Sequence, residues 1–418
     1  MELYYSFSVL IVMASFFAYI NHRFIKLPAT IGIMLMAIFG SVIILVAGNF
    51  LFPNLATKVT NLVSSFDFTE VLMGAMLNFL LFAGAIHVKI SDLREQRWPV
   101  IVFSTVSVII STFAVAGLLY YVTQLFSLEL PFIYCLLFGA LISPTDPIAV
   151  LGILKKAGVP KSLETKIAGE SLFNDGMAVV LFAVILQLAE TDIDINIGSI
   201  SWLLVKEAGG GLLLGAVLGL SASAALKRID DYIVSVLVTL SVVMGGYLIA
   251  HAAHISGPLT MVAAGLIIGN LSKRVVMSEI TRDYLNKFWE LIDEILNAIL
   301  FLFIGLELLL LPGLLSSWAI GLVTILIVLL ARFLSIWIPS KVVPFKNKFS
   351  KGTLIVLVWG GLRGGVSIAL VLSIAAGPYK NLLLEITYFV VVFSIVFQGL
   401  SIGKVANRFL EERSGTKK

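Results

Sequence analysis

Charge is what this chain has least of. Of 418 residues only 13% are Asp, Glu, Lys or Arg, against about 25% in a soluble domain. Polar stretches long enough to form a separate soluble domain are missing too. Instead 59% of the residues are hydrophobic, mean hydropathy is +1.04, and apolar runs recur from end to end. That excludes a water-soluble enzyme or binding module and implies a polytopic helical membrane protein. The one cysteine, Cys135, lies mid-segment, so no internal disulfide is available and thiol usage says nothing of compartment. The four histidines (His22, His87, His251, His254) fall near the ends of apolar segments. Solvated interfacial side chains account for them; a pH sensor is the alternative. The opening MELYYSFSVLIVMASFFAYI has neither a basic leader nor a small-residue cleavage site, so a retained first span is expected.

A net charge of +4 suggests nucleic-acid binding only until its distribution is examined. Thirteen spans account for the apolar sequence, roughly 3–21, 28–47, 69–88, 98–122, 131–154, 167–189, 202–225, 232–251, 257–271, 289–310, 314–339, 353–376 and 384–403. With the N-terminus outside, the inner loops and C-terminal tail hold 24 of the 29 Lys and Arg, and the outer loops hold 2, Lys58 and Lys380. Such a bias marks the basic loops as cytoplasmic. The acidic segment TDIDIN (191–196) falls outside on the same count. The expected topology is N-out, C-in, in a plasma (inner) membrane, with lipid and not nucleic acid as the surrounding partner.

The three remaining basic residues, Lys206, Arg332 and Arg363, lie inside spans, as do the acids Asp146, Glu170 and Asp175. A charged side chain at bilayer depth costs about 2.5–3.5 kcal/mol on insertion scales, so its default interpretation is functional. Asp146 stands between Pro144 and Pro147 in SPTDP, where a helix must break and free its carbonyls. A second break is expected at WGGLRGG, where four glycines surround Arg363. Broken backbone at membrane depth is tolerated only inside protein or beside a water-filled cavity. The two breaks fall in the fifth and twelfth spans, seven apart, which suggests inverted repeats of spans 1–6 and 8–13. Ordinary proline and glycine kinks are the bland alternative.

Helical spacing in IAGESLFNDGMAVVLF sets Glu170 and Asn174 on one stripe and Ser171 and Asp175 on its neighbour. Carboxylates, hydroxyls and freed carbonyls are hard oxygen donors, suited to a small cation or a proton. Asp175 lies deepest and is the expected carrier; a hydrogen-bonded packing role is its alternative. Glu170 needs a buried cation, and Arg332 and Arg363 are available. Arg332 is near enough to the inner end to snorkel instead, as Lys206 does at the outer end.

SPTDPIAV, GESLFND and GGLRGG, in this order, resemble the monovalent cation/proton antiporters of the bacterial NhaP and animal NHE type. The likeness runs through most of the chain, including LLFAGAIH ending at His87, AHISGPLTMVAAGLIIGN at 253–270 and LFIGLEL at 302–308. It implies an NhaA/NhaP-like all-α fold with two broken, crossing helices and a homodimer. A core of about 98–189 and 314–403 would rock against a dimerisation scaffold of about 1–97 and 202–310, with 404–418 as a short tail. It further implies that Asp175 binds the cation with help from Asn174, Ser171, Thr145 and Asp146. Glu170 would pair with Arg332, and Arg363 would serve the broken helix. The Asn174–Asp175 pair, with one titrating group where some relatives have two, implies electroneutral one-for-one exchange. The cargo would be Na+ or Li+ against H+, with no cofactor. One departure stands out: many NhaP-type chains have an acid where this one has Ala83, leaving Asn78 as the polar side chain of that mid-segment.

Two rivals differ in kind. The ligand set does not fix ion size, so K+/H+ exchange stays open. An intramembrane aspartyl protease would use Asp146 and Asp175 as a dyad, but it gives the buried arginines no use. Gly211, Gly215 and Gly219 form a small-residue stripe suited to close helix packing, within the chain or at a dimer seam. The basic segment 272–289 is expected along the inner surface as a connector.

Overall fold

The computed structural model describes residues 2–50, 60, 71–190, 197–272, 277–311, 316–345 and 349–410. Lys58, the TDIDIN segment and the tail beyond 410 lie outside them. Among the described residues the fold is helical throughout, without strands. In chain order the helices are α1 (Glu2–Ile20), α2 (Ala29–Phe50), α3 (Leu77–His87), α4 (Ile90–Glu95), α5 (Arg97–Ser104), α6 (Val106–Leu125) and α7 (Phe132–Ile142). Then come α8 (Ile148–Lys156), α9 (Lys161–Glu190), α10 (Ile197–Leu204), α11 (Gly210–Leu226), α12 (Tyr232–Ala252) and α13 (Gly257–Ile267). The last six are α14 (Glu279–Glu307), α15 (Trp318–Val342), α16 (Lys351–Trp359), α17 (Gly365–Leu372), α18 (Lys380–Phe393) and α19 (Gly399–Leu410).

Among the described residues eight helical stretches are long and apolar enough to cross a membrane, some of them joining two of these helices through a π-turn, as α10 and α11 are joined. Shorter apolar helices run over Phe132–Ile142 and Gly257–Leu271. The outer wall carries large apolar side chains in the open, among them Trp202, Leu213, Leu248 and Leu326, as a lipid-facing surface requires.

Both expected breaks are present. Residues 143–147 separate α7 from α8, and 360–364 separate α16 from α17. In the first, Pro144 and Pro147 have no amide hydrogen to donate, and each disfavours helix in the residue before it. In the second, Gly360, Gly361, Gly364 and Gly365 weaken any helical alternative. α9 packs on α5 and α7, α15 on α6 and α18, and α17 on α7, α18 and α14, so helices from both ends of the chain enclose the breaks. A second apolar core joins α3, α11, α12, α13 and the first half of α14 around Trp289.

The glycine stripe of α11 faces α13 within the same chain. A methyl carbon on Gly215 would stand 2.7 Å from Ala263 Cβ, and one on Gly219 2.9 Å from Ile267 Cβ. Thr260 Oγ1 donates to the Gly211 carbonyl at 3.1 Å across this contact. The stripe is therefore an intramolecular seam.

The segment expected as a surface connector departs from that expectation. Residues 273–276 lie outside the described ones, but α14 already starts at Glu279, and Leu285 and Trp289 are fully enclosed. The helix begins this early because Ser278 caps it, accepting from Thr281 N at 3.3 Å. Asp230, in the loop before α12, accepts from Ser278 Oγ at 2.8 Å and from Thr281 Oγ1 at 2.9 Å. Those hydrogen bonds hold its carboxyl below the ordinary range.

Replacing Gly215 by Leu should force α11 and α13 apart and destabilise the fold by about 1–3 kcal/mol. Thermal unfolding in detergent should show a lowered midpoint, and size-exclusion chromatography an unchanged oligomeric state.

Candidate cation site

The two breaks are hydrogen-bonded to each other. Asp146 N donates to the Leu362 carbonyl at 2.8 Å. The Asp146 side chain turns back to cap α8, its Oδ1 accepting from Ile148 N at 2.8 Å. The other face of that carboxylate lies against Gly364, where a Cβ would fall 2.6 Å from Asp146 Oδ2. Glycine is required there by close approach.

Arg363 fills the opposite need. Its Nη1 donates to the carbonyls of Ser143, at 2.5 Å, and Pro144, at 3.0 Å, the acceptors that the end of α7 leaves open. A cation at a helix C-terminus also meets the negative end of the helix dipole. Arg363 N in turn donates to Ser394 Oγ at 2.9 Å. Ser394 donates to Gln398 Oε1 at 2.7 Å, and Gln398 Nε2 returns to the Trp359 carbonyl at 3.1 Å. The π-turn Ser394–Gln398 thus closes the second break. Ser394 and Gln398 escaped the sequence reasoning; their four-residue spacing inside the expected span 384–403 was the available signal.

α9 passes beside the crossing and brings four polar side chains to it. Asn174 Nδ2 donates to Thr145 Oγ1 at 2.8 Å, and that hydroxyl meets Ser171 Oγ at 3.2 Å. Asp175, 9% exposed, has its Oδ1 buried without a hydrogen-bond partner among the described residues. The charges that bear on it are Asp146 and Arg363. One turn before Asn174, Glu170 Oε1 accepts from Arg332 Nη1 at 2.5 Å, both residues being buried. Arg332 Nη2 also reaches the Leu357 carbonyl at 3.0 Å, near the end of α16. Arg332 is therefore an interior ion-pair partner, not a snorkelling side chain. Gly361 makes room for it, since a Cβ there would stand 2.9 Å from the guanidinium carbon.

So Asp175, Asp146, Asn174, Ser171 and Thr145 converge at the crossing, Glu170 and Arg332 pair beside it, and Arg363 satisfies the first break. Ala83 is fully enclosed in the second core. The amide nitrogen of Asn78 donates to the Met73 and Gly74 carbonyls of its own turn, while its Oδ1 is buried without a partner among the described residues.

A carboxylate oxygen left open beside a second carboxylate, at the crossing of two interrupted helices inside a lipid-facing bundle, defines the class: an ion-coupled secondary carrier fold. The chain belongs to the sodium/hydrogen exchanger family, whose transmembrane model matches residues 11–408. That is a family of transporters, not of enzymes in the catalytic sense. The chain is 49% identical, over 95% of its length and 95% of the other's, to the Na+/H+ antiporter NhaP of Pseudomonas aeruginosa. It is 35% identical to the Na+/H+ antiporter NhaH of Halobacillus dabanensis, covering 80% of this chain and 82% of that one. The fold matches the sodium proton antiporter MjNhaP1 of Methanocaldococcus jannaschii at pH 8, with a TM-score of 0.78 and 21% identity, over 98% of this chain and 100% of that one.

Two substitutions separate framework from site. Arg332→Ala leaves Glu170 as an unpaired buried charge and should cost about 3–5 kcal/mol, read as early thermal unfolding in detergent. Gly364→Ala should displace the Asp146 carboxylate and reduce ion flux at least about ten-fold, the equivalent of 1.4 kcal/mol, with a smaller loss of thermal stability than Arg332→Ala.

Proposed function

We propose that this chain is a secondary antiporter that exchanges Na+ or Li+ for H+ across the cell membrane at a site centred on Asp175. The observation that carries it is the buried Asp175 oxygen without a partner, facing the same crossing as Asp146. Family membership and the names of the relatives support the choice of cargo.

In this mechanism a dehydrated monovalent cation takes its oxygens from Asp175 and Asp146, with Thr145 and Ser171 supplying hydroxyls. Asn174 holds Thr145 in place through the 2.8 Å bond and adds no titrating group. A proton on Asp175 removes the charge that retains the cation, so the two ligands compete for one carboxylate. Only Asp175 exchanges its proton, so each cation displaces one and the cycle is electroneutral. Glu170 and Arg332 brace α9 against α15 and take no cargo, and Arg363 holds the carbonyls of the first break. Asp146 keeps its cap on α8 through the cycle.

The remaining features belong to the same proposal. The chain crosses the inner membrane thirteen times with its N-terminus outside and its C-terminus inside, and works as a homodimer. Inverted repeats of spans 1–6 and 8–13 generate the crossing, and a core of about 98–189 and 314–403 moves against a scaffold of about 1–97 and 202–310. No cofactor takes part.

The test is proton flux in proteoliposomes with an internal pH dye, adding Na+, Li+ or K+ in turn with voltage clamped or free. Na+ and Li+ should dissipate the pH gradient independently of voltage. A response to K+ alone would replace the cargo by potassium. Asp175→Asn should lower exchange by at least about two orders of magnitude, equivalent to 2.7 kcal/mol, in folded protein. Full exchange by that variant would refute the assignment of the carrier carboxylate.

A further inference from the structure

α14 brings another acid into the interior, away from the residues that form the crossing. Trp289, Asn297 and Ile304 mark its enclosed stripe, each fully buried. Asp293 sits on that stripe between Trp289 and Asn297 and is half-buried, whereas its acidic neighbours Glu290 and Glu294 are exposed. The stripe leads to the crossing. Leu300 packs on the first residue of α17, where a Cβ added to Gly365 would stand 2.6 Å from Leu300 Cδ1. The preceding residue, Gly364, is the one that lies against Asp146. Asp293 is two turns before Leu300, about 10 Å along the axis, on the side where α14 begins. Asp146 is among the charges acting on it.

What surrounds Asp293 matters as much as its position. Asn297 Nδ2 donates at 3.1 Å to Asp293 Oδ1 and at 2.8 Å to its carbonyl. No Lys or Arg forms an ion pair with it among the described residues. Asn297 is itself fully buried, and its Oδ1 has no donor among the described residues. Asp293 and Asp146, with a buried amide oxygen beside Asp293 and no ion pair to either acid among the described residues, form a region of negative potential. Such a region favours a mobile positive charge. α3 contributes no acid beside it: Phe82 packs on Trp289 with ring centres 4.6 Å apart and planes tilted by 52°, and the next residue is Ala83.

We infer that Asp293, steadied by Asn297, is a capture group for the transported monovalent cation. It holds the partly hydrated ion on the side where α14 begins, before transfer to Asp146 and Asp175. This rests on the antiporter function proposed above and assigns Asp293 to selectivity and affinity on one side of the membrane. No bond is made or broken: the ion exchanges water for the Asp293 and Asn297 oxygens and then for those of the crossing.

The experiment uses the full chain in proteoliposomes of determined orientation, with Na+ supplied from one side at a time. Asp293→Asn should raise the KM for Na+ on the side where α14 begins by about ten-fold, the lower end of the gain that such a field gives. The fall in kcat should be much smaller, the KM on the opposite side should stay near the parent's, and Asp293→Glu should restore affinity. An unchanged KM in folded protein overturns the inference. So does an equal loss on both sides that Glu fails to rescue, which would mark Asp293 as a packing residue. Should Asp293→Asn not fold, Asp293→Ser also removes the carboxylate and should raise that KM likewise; an unmoved or lowered value overturns the inference. Parent protein that exchanges Na+ for H+ while the variants match it refutes the capture role alone. Parent protein inert to Na+ refutes the antiporter proposal, and the capture role with it.

Discussion

Open backbone inside a membrane is the constraint from which the rest of this structure follows. Two helices are interrupted where no bulk water can hydrogen-bond their freed groups, and each unsatisfied group there costs several kcal/mol. The breaks meet that demand mutually. The Asp146 amide goes to Leu362, the Ser143 and Pro144 carbonyls go to Arg363, and Leu357 near the end of α16 receives Arg332. Once two buried arginines are present, buried acids must follow. Glu170 answers Arg332 directly, while Arg363 acts at longer range on Asp175. The charges of the site are thus consequences of the broken backbone as well as instruments of its chemistry.

That arrangement divides the polar groups by what they have left to offer. Asn174, Ser171 and Thr145 are bonded to one another and tie α9 to the first break. Asp146 has one oxygen committed to the cap of α8. Asp175 alone among these keeps a buried oxygen without a partner. A pair locked at 2.5 Å, such as Glu170 and Arg332, suits a framework better than a carrier, because releasing either member leaves an uncompensated charge. The group with an unmet valence is the one suited to alternating ligands. The same distinction singles out Asp293 on α14, whose neighbour Asn297 also keeps a buried oxygen without a donor.

The positions of the breaks were legible because proline and glycine act locally: they remove a donor or a side chain whatever surrounds them. Asp146, Glu170 and Asp175 were legible because charge is so rare in this chain that each occurrence needs a cause. Asp293 was hidden for the opposite reason. It falls at the start of the expected span 289–310, in WELIDEIL among other acids, where a charged side chain can reach water at the membrane edge. The start of α14 was hidden likewise, since a basic segment looks like a loop until Ser278 is found capping a helix whose Trp289 is enclosed. Local sequence left Arg332 two readings, snorkelling and pairing; the family resemblance pointed to Glu170, and the buried ion pair is present in the fold.

By itself, then, the amino-acid sequence determined the membrane-embedded, all-helical class, the two interruptions and the carboxylates beside them. These follow from hydrophobicity, backbone chemistry and the cost of buried charge, all properties of short stretches. Only the tertiary structure decided which polar atoms are already spoken for. Hydrogen-bond partners such as Asn174 and Thr145 are 29 residues apart, and Arg332 and Glu170 are 162 apart. The same holds for the face each residue turns to. Gly215 meets α13 and Leu300 meets Gly365, because close packing of distant helices sets orientation, and no local signal encodes it.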